Sequence, residues 1–241
     1  MCSLFENIWI KRLCTNYLNL NIFEEIKLAQ PVLFRIPNRK VIFIATPKAG
    51  NSSILHAMAE NLPDDSGYDG KTVQSKYRRY AITRADAFSL RKDHLIFSLV
   101  RNPWDRVVSH YADKVCGGKN LHERLKFVEG FYHKMPFDEY LAVLALRFSE
   151  IKDVHVRQQA DNFFYRGAYL PHYVLRYESF AKDFLILKKL LQAEGVTLSD
   201  LEQKNKSRRK PYLEMYKSKE HIQLVRKIYA KDIRFFGYGF K

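Results

Sequence analysis

Cysteine is scarce in this sequence, and its three copies are odd in number and widely spaced, at Cys2, Cys14 and Cys116. This arrangement fits neither a disulfide framework nor the paired spacing of a structural metal site. No run of about 18–20 apolar residues is present, so no membrane span is predicted. The first residues also lack the long apolar segment of a signal peptide. Together these absences favour a reducing, cytoplasmic setting.

Acidic residues are few relative to basic ones. Lys and Arg number 41 against 26 Asp and Glu, which gives a formal net charge of +15. Such a surplus raises the local concentration of anions, whether nucleic acid, a membrane surface or a polyanionic small molecule. A solvated basic surface with no specific ligand would have the same composition. Net charge alone therefore leaves the ligand open.

Linkers rich in Pro, Gly or Ser and internal repeats are also missing. Hydrophobic residues make up 46% and charged residues 28% of the 241 positions, which predicts a packed globular core. We therefore predict a single domain over residues 1–241. Phe5, Ile8 and Trp9 recur at roughly helical spacing, so residues 1–35 are predicted to form an N-terminal helical extension that packs on this domain.

Short apolar runs alternate with helical patterns along the rest of the chain. Val41–Ala45 and Leu95–Val100 are nearly continuous apolar segments, as expected for strands buried on both faces, and Tyr173–Leu175 is a third candidate. Amphipathic helical patterns separate them. This alternation predicts an α/β fold with a central, mostly parallel sheet and helices on both of its faces.

The segment Thr46–Ser53 (TPKAGNSS) follows the first predicted strand and leads into a helix. Gly50 permits a close approach of the backbone to a ligand, Lys48 adds a positive charge and the serines add hydroxyls. These features suit an oxyanion, although an ordinary strand-to-helix turn with a capping serine has the same residues. The segment is not a Walker A motif, because its Lys precedes the Gly and no Gly-Lys-Ser follows.

A second constellation follows the next predicted strand. Arg101 stands at the carboxyl end of that strand, where ligands of open α/β sheets bind. If Arg101 and Ser109 converge, a guanidinium fork and a hydroxyl together suit a terminal phosphate. Arg106 shares a helical face with Ser109, although a surface ion pair with Asp105 would explain it equally well.

These segments resemble the binding motifs of sulfotransferases that use 3′-phosphoadenylyl sulfate (PAPS). Pro47–Ser53 resembles their 5′-phosphosulfate loop. Val100–Tyr111 is similar to their 3′-phosphate motif, with the pattern Arg-x-Pro-x-x-Arg-x-x-Ser-x-Tyr that marks the carbohydrate branch, sulfotransferase family 2. Looser matches extend the resemblance over residues 40–240; they are Phe137–Tyr140, Asp153–Gln159, Arg176–Glu178 and Asp232–Tyr238.

The resemblance implies a P-loop-like fold and transfer of a sulfuryl group from PAPS to a hydroxyl of a carbohydrate or glycoconjugate, without a metal ion. It assigns Lys48 to the leaving oxygen as a catalytic residue. Many family members have Thr or Ser where this chain has Asn51. A late basic segment with Asn205, Ser207 and Arg208 resembles one that closes over the nucleotide. The implied donor ligands are Lys48, Ala49, Gly50, Asn51, Ser52, Ser53, Arg101, Ser109 and Arg208.

The acceptor hydroxyl needs a general base, and His155 is our candidate among eight histidines. It lies in a family-like segment outside the donor motifs, where an acceptor could sit, and histidine titrates near neutral pH. His56, just after the first loop, is the second choice. The carboxylate of Glu178 is a further alternative.

Two other classes of function stay open. A P-loop kinase-like enzyme would need a Mg²⁺-binding Ser or Thr directly after the loop lysine, and none is present. A nucleic-acid-binding protein would explain the charge, but no helix-turn-helix, zinc finger or paired aromatic RNA motif occurs. An anionic donor together with an anionic acceptor explains the charge better. Possible glycosylation sites at Asn51 and Asn205 fall in the predicted donor loops, where a glycan would block binding, which favours a bacterial-type cytoplasmic enzyme.

Overall fold

The computed structural model describes residues 32–63, 73–151, 153–200 and 209–241. Its strands are β1 (Val32–Arg35), β2 (Val41–Ala45), β3 (Ala81–Ile82), β4 (Leu95–Val100), β5 (Phe164–Tyr165), β6 (Ala168–Tyr169) and β7 (Tyr173–Arg176). Its α-helices are α1 (Asn51–Ala57), α2 (Val73–Tyr77), α3 (Arg84–Leu90), α4 (Pro103–His110), α5 (Glu123–Lys126), α6 (Phe137–Arg147), α7 (Phe180–Ala193), α8 (Tyr212–Met215), α9 (Lys219–Ile228) and α10 (Ala230–Phe236).

Five strands form a central sheet in the order β3-β1-β2-β4-β7. The pairs β2–β4 and β4–β7 are parallel, whereas β1 is antiparallel to both β2 and β3. Four of the five strands therefore run in one direction, which confirms the predicted mostly parallel sheet. Because β2 and β4 are parallel neighbours, the turns that follow them leave the same edge of the sheet.

The sheet is covered by helices on both faces, as predicted. Alternate residues of β2 enter two different apolar clusters, with Ile42 and Ile44 in one and Val41 and Phe43 in the other. Helices α4, α6 and α9 contribute to the first cluster, and α1 and α7 to the second. A strand buried on both faces has no polar side, which explains the continuous apolar runs of the sequence.

The N-terminal helical extension was predicted over residues 1–35. Of these, residues 1–31 lie outside the described part of the chain. Residues 32–35 form strand β1, so ending the helical extension at residue 35 was wrong. Leu33 and Phe34 are both buried and enter opposite clusters, the arrangement of a strand within a covered sheet. The extent of the single domain stays a prediction. No helix within the described ranges has both the length and the apolar character to cross a bilayer.

Candidate active site

A cavity of about 1070 Å³ opens at the sheet edge where β2 and β4 end. Its wall includes the turn after β2, the start of α4 and the segments around residues 154–155 and 209–213. Seven of the lining side chains are basic and two are acidic, an imbalance that suits a polyanionic ligand. The basic ones are Lys48, Arg78, Arg101, Lys114, Arg124, Arg209 and Lys210, and the acidic ones are Asp105 and Asp113.

The turn after β2 is tightly built. Lys48 and Gly50 both have left-handed backbones, with φ of 66° and 96°. A Cβ added at Gly50 would lie 3.0 Å from a methyl of Leu99 and 3.1 Å from the ring of Tyr177, so a side chain would force these neighbours to shift and would strain the left-handed backbone. The Asn51 side chain accepts a hydrogen bond from the Thr46 N–H at 3.1 Å. The asparagine at this position therefore closes the turn on itself.

Arg101 joins the two turns. Its Nη1 donates to the carbonyl oxygen of Lys48 at 3.0 Å, and its Nε donates to Asp105 Oδ2 at 2.8 Å. The guanidinium carbon lies 4.2 Å from the centre of the Tyr177 ring. The buried amide of Gln159 accepts from the Arg101 N–H at 2.9 Å and donates to its carbonyl at 2.8 Å. Both backbone and side chain of Arg101 are thus fixed at the cavity wall.

Lys48 is held by Asp113, which lies in a π-helical turn (Tyr111–Val115) that extends α4. The two side chains are 2.8 Å apart. Burial lowers the pKa of Lys48, and the contact with Asp113 opposes that shift. Burial alone would raise the pKa of Asp113, but Lys48 lowers it to about 2. Asp105 also pairs with basic groups, since its Oδ2 contacts Arg101 and its Oδ1 contacts Arg209.

A sequence profile described as the sulfotransferase family matches residues 32–239. The chain belongs to the sulfotransferase family. Among solved structures, a sulfotransferase from Alicyclobacillus acidocaldarius is similar at 17% identity, with 85% of this chain and 98% of that chain covered and a TM-score of 0.34. No curated protein matches the chain.

The structure brings most of the predicted site residues of this sulfotransferase to one cavity. The wall includes Lys48, Gly50, Asn51, Ser52, Ser53, Arg101, Ser109 and His155. Ala49 is buried behind the wall, and its N–H donates to the Thr46 carbonyl at 3.2 Å. The Ala49 N–H is thus already bonded within the turn. It could donate to the 5′-phosphosulfate only if that hydrogen bond broke. Arg208, like Asn205 and Ser207, lies outside the described residues.

The three candidate bases have different surroundings. His155 lines the cavity, with 26% of its side chain exposed and its Nδ1 2.6 Å from Asp153 Oδ1. His56 lies on α1 and is not part of the wall. Glu178 accepts hydrogen bonds from the Asn102 N–H at 2.5 Å and from the Tyr238 hydroxyl at 3.0 Å, outside the wall. Of the three candidates, His155 is the one on the cavity wall.

Arg106 does not form the surface ion pair with Asp105 that the sequence left open. Its side chain is 1% exposed. Its three nitrogens donate to the carbonyl oxygens of Pro47 at 3.0 Å, Arg157 at 2.7 Å and Val154 at 3.4 Å. Arg106 thus ties the turn after β2 to the segment that carries His155.

Several residues of the site were missed from the sequence. Asp105 lies inside the second motif and Arg209 is adjacent to the predicted Arg208, so both could have been predicted from their neighbours in the sequence. Asp153 is two residues before the predicted His155 and could have been predicted in the same way. Asp113 and Arg124 come from segments whose contact with the cavity depends on folding. Within the described ranges, no group of three or more His, Cys, Asp or Glu side chains is placed to hold a metal ion; independence from metal stays a prediction.

Proposed function

We propose that this sulfotransferase transfers a sulfuryl group from PAPS to a hydroxyl of a carbohydrate or glycoconjugate. The observation that supports it most is the junction of the turns after β2 and β4, joined by the Arg101–Lys48 hydrogen bond at a strongly basic cavity. PAPS carries anionic groups on both sides of its ribose. Two neighbouring cationic turns offer a separate position for each.

Lys48 is proposed to stabilise the leaving phosphate oxygen as the bond to sulfur breaks. A preorganised ammonium group in a partly buried site stabilises developing negative charge more strongly than it would in water. Gly50, Asn51, Ser52 and Ser53 surround the same position and are proposed to hold the 5′-phosphosulfate, with Ala49 supporting the turn. Correct alignment of the acceptor oxygen, the sulfur and the leaving oxygen supplies the remaining rate acceleration.

Arg101 and Ser109 are proposed to bind the 3′-phosphate. Asp105 already occupies Nε and Nη2 of Arg101, so a bound phosphate must share that guanidinium with Asp105 or replace it. Arg209 lies on the other side of Asp105 and brings a second guanidinium to the same place. Arg208 remains a proposed further ligand.

The acceptor is proposed to be anionic and to enter beside His155. Arg124 is 3.4 Å from Asp153, the partner of His155, and Lys114 lies next to Asp113 on the same wall. Arg124, on α5, is outside the two donor turns, whereas Lys114 shares Asp113 with Lys48. Basic groups on this wall suit an acceptor with carboxylate or sulfate groups. The cytoplasmic location stays a prediction.

Nucleotide binding tests the donor directly. Titration calorimetry in EDTA should show adenosine 3′,5′-bisphosphate, the desulfated product, binding at least about tenfold more tightly than ADP, because only the former has a 3′-phosphate for Arg101. At 100 times its Kd it should raise the free energy of unfolding by about 2.7 kcal/mol. Tighter binding of ADP with Mg²⁺ would favour the kinase-like alternative. Duplex binding that the bisphosphate does not displace would favour the nucleic-acid one.

Transfer itself is tested with labelled PAPS and a panel of acceptors matched for sugar backbone. Uronic-acid-containing or partly sulfated glycans should accept label, and neutral glycans of the same length should accept less, because Lys114 and Arg124 then have no anion to bind. Equal labelling of neutral and anionic glycans would contradict the anionic acceptor while leaving the donor assignment unchanged. Absence of label on every hydroxyl compound would contradict the transfer reaction.

Asp113→Asn should tighten binding of the bisphosphate. Asp113 competes with the ligand for Lys48, and an ion pair with a half-exposed carboxylate contributes up to about 1 kcal/mol, so the expected gain is about two- to fivefold. Calorimetry at two salt concentrations measures it, with the larger gain at low salt. Asp200→Asn, at a fully exposed carboxylate paired with Lys188, is the matched control. Weaker binding in Asp113→Asn would show that the carboxylate supports Lys48 instead of competing for it.

A further inference from the structure

A buried carboxylate lies directly behind the candidate base. The Asp153 side chain is fully buried. Its Oδ1 accepts a hydrogen bond from the His155 backbone N–H at 3.0 Å and lies 2.6 Å from His155 Nδ1. The turn is closed by the Val156 N–H, which donates to the Asp153 carbonyl at 3.1 Å. Two contacts to one oxygen set both the position of residue 155 and the orientation of its ring.

The other oxygen of Asp153 faces a second histidine. His110 Nε2 is 3.6 Å from Asp153 Oδ2, and His110 Nδ1 is 2.8 Å from the Tyr140 hydroxyl. All three side chains are buried. A chain of polar groups therefore runs from Tyr140 on α6 through His110 on α4 to Asp153, and ends at His155 on the cavity wall.

Burial determines the protonation states along this chain. Burial lowers the pKa of His110 to about 4, so its ring is neutral at pH 7 and carries one proton. Burial raises the pKa of the Tyr140 hydroxyl, which keeps its proton and can donate to His110 Nδ1 at 2.8 Å. With Tyr140 as the donor, the His110 proton is on Nε2, where its contact with Asp153 Oδ2 at 3.6 Å is electrostatic and too long for a hydrogen bond. Burial alone would raise the pKa of Asp153, but His110 and His155 lower it far below its usual range, so it is ionised.

An ionised Asp153 fixes the tautomer of His155. Its Oδ1 can only accept, so the short contact at Nδ1 requires a proton on that nitrogen. The lone pair of a neutral His155 ring is then on Nε2. Other neighbours of this pair are basic: Arg124 is 3.4 Å from Asp153 Oδ1, and the ring centres of His122 and His110 are 6.4 Å and 6.5 Å from that of His155. Asp153 is therefore the negative partner of His155 within the described surroundings.

We propose that Asp153 is the positioning residue that makes His155 Nε2 the general base of transfer, and that Tyr140 and His110 hold its carboxylate in place. This inference rests on the proposed function. As the acceptor oxygen bonds to sulfur, its proton moves to His155 Nε2. The bond from sulfur to the phosphate oxygen breaks, and its electron pair leaves with the nucleotide. Asp153 stabilises the imidazolium that forms and does not itself take the proton.

Asp153→Asn tests the inference, because it keeps the shape of the side chain and removes its charge. An amide N–H turned toward Nδ1 would move the His155 proton to Nε2 and block the base. We expect kcat to fall about 10²–10⁴-fold, with affinity for adenosine 3′,5′-bisphosphate within twofold of the wild type. The acidic limb of kcat against pH should also disappear, as it should in His155→Gln. Asp93→Asn, at an exposed loop carboxylate, is the matched control and should change neither quantity.

Nitrogen NMR of the full-length wild-type protein gives a second readout that needs no activity and no foldable variant. The neutral form of the His155 ring should show a protonated Nδ1 and an unprotonated Nε2. A neutral ring with its proton on Nε2 in the wild type, or an unchanged acidic limb in Asp153→Asn, would overturn the inference. If instead the wild type fails to bind the bisphosphate or to transfer label from PAPS, the proposed function fails, and the tautomer result still decides the pairing of Asp153 with His155.

Discussion

Replacing Lys48 with Met should lower kcat for sulfuryl transfer by about 10²–10³-fold or more, the range found when one preorganised donor is removed from a developing oxyanion. Lys48 lies in the turn after β2, and its carbonyl oxygen accepts a hydrogen bond from the guanidinium that is proposed to bind the other end of the donor. Methionine has nearly the same length and can fill the same space. The loss should therefore fall on kcat more than on nucleotide affinity.

The fold should tolerate this change. Lys48 pairs with the half-exposed Asp113, and such pairs contribute up to about 1 kcal/mol. Single-turnover rates with labelled PAPS and urea unfolding measure the two effects separately. Lys188→Met, which breaks the exposed pair with Asp200, controls for the loss of one positive charge. A Lys48→Met enzyme with wild-type kcat would remove Lys48 from the reaction, whatever its effect on binding.

The fold was predictable where burial of a strand on both faces produces a recognisable apolar pattern in the sequence. β2 and β4 have apolar side chains on successive residues, and the helices between them have one apolar stripe. β1 has no recognisable pattern of this kind, because four residues are too few to distinguish a strand from the end of a helix. The same limit explains why the two-residue strands β5 and β6 were not predicted. Their pairing depends on a turn at Arg166 and Gly167, both with positive φ.

The site was predictable to the extent that it is local. The two turns follow adjacent parallel strands, so their convergence follows from the sheet order and needs no long-range contact. The two acidic partners differ in this respect. Asp113 reaches Lys48 because a π-helical turn extends α4, and it has no sequence pattern that separates it from other acidic residues. Asp153 is two residues before His155, in the segment Asp153–Gln159 that carries the resemblance, but the sequence does not reveal that its side chain is buried behind the ring.

Arg106 shows how a motif residue can serve the fold and the site together. As a substitution test, Arg106→Met should lower the free energy of unfolding by about 3–5 kcal/mol, because it leaves three carbonyl oxygens in a buried region without their donor. It should also weaken bisphosphate binding at least about tenfold at temperatures where the variant is folded, since Pro47 belongs to the turn that holds Lys48. Urea unfolding and calorimetry measure the two effects.

Arg147→Met is the control that separates the effect of burial at Arg106 from the effect of losing an arginine. Arg147 also makes two ionic contacts, to Glu129 at 2.9 Å and Glu150 at 3.1 Å, but at the surface. Its loss should change stability far less than that of Arg106 and leave binding unchanged. Arg106→Lys should fall between the two, because an ammonium group keeps the charge and can reach only part of a planar three-carbonyl site. Equal effects of Arg106→Met and Arg147→Met would mean that the turn after β2 holds its shape without Arg106, and that the link to the His155 segment has no role in binding.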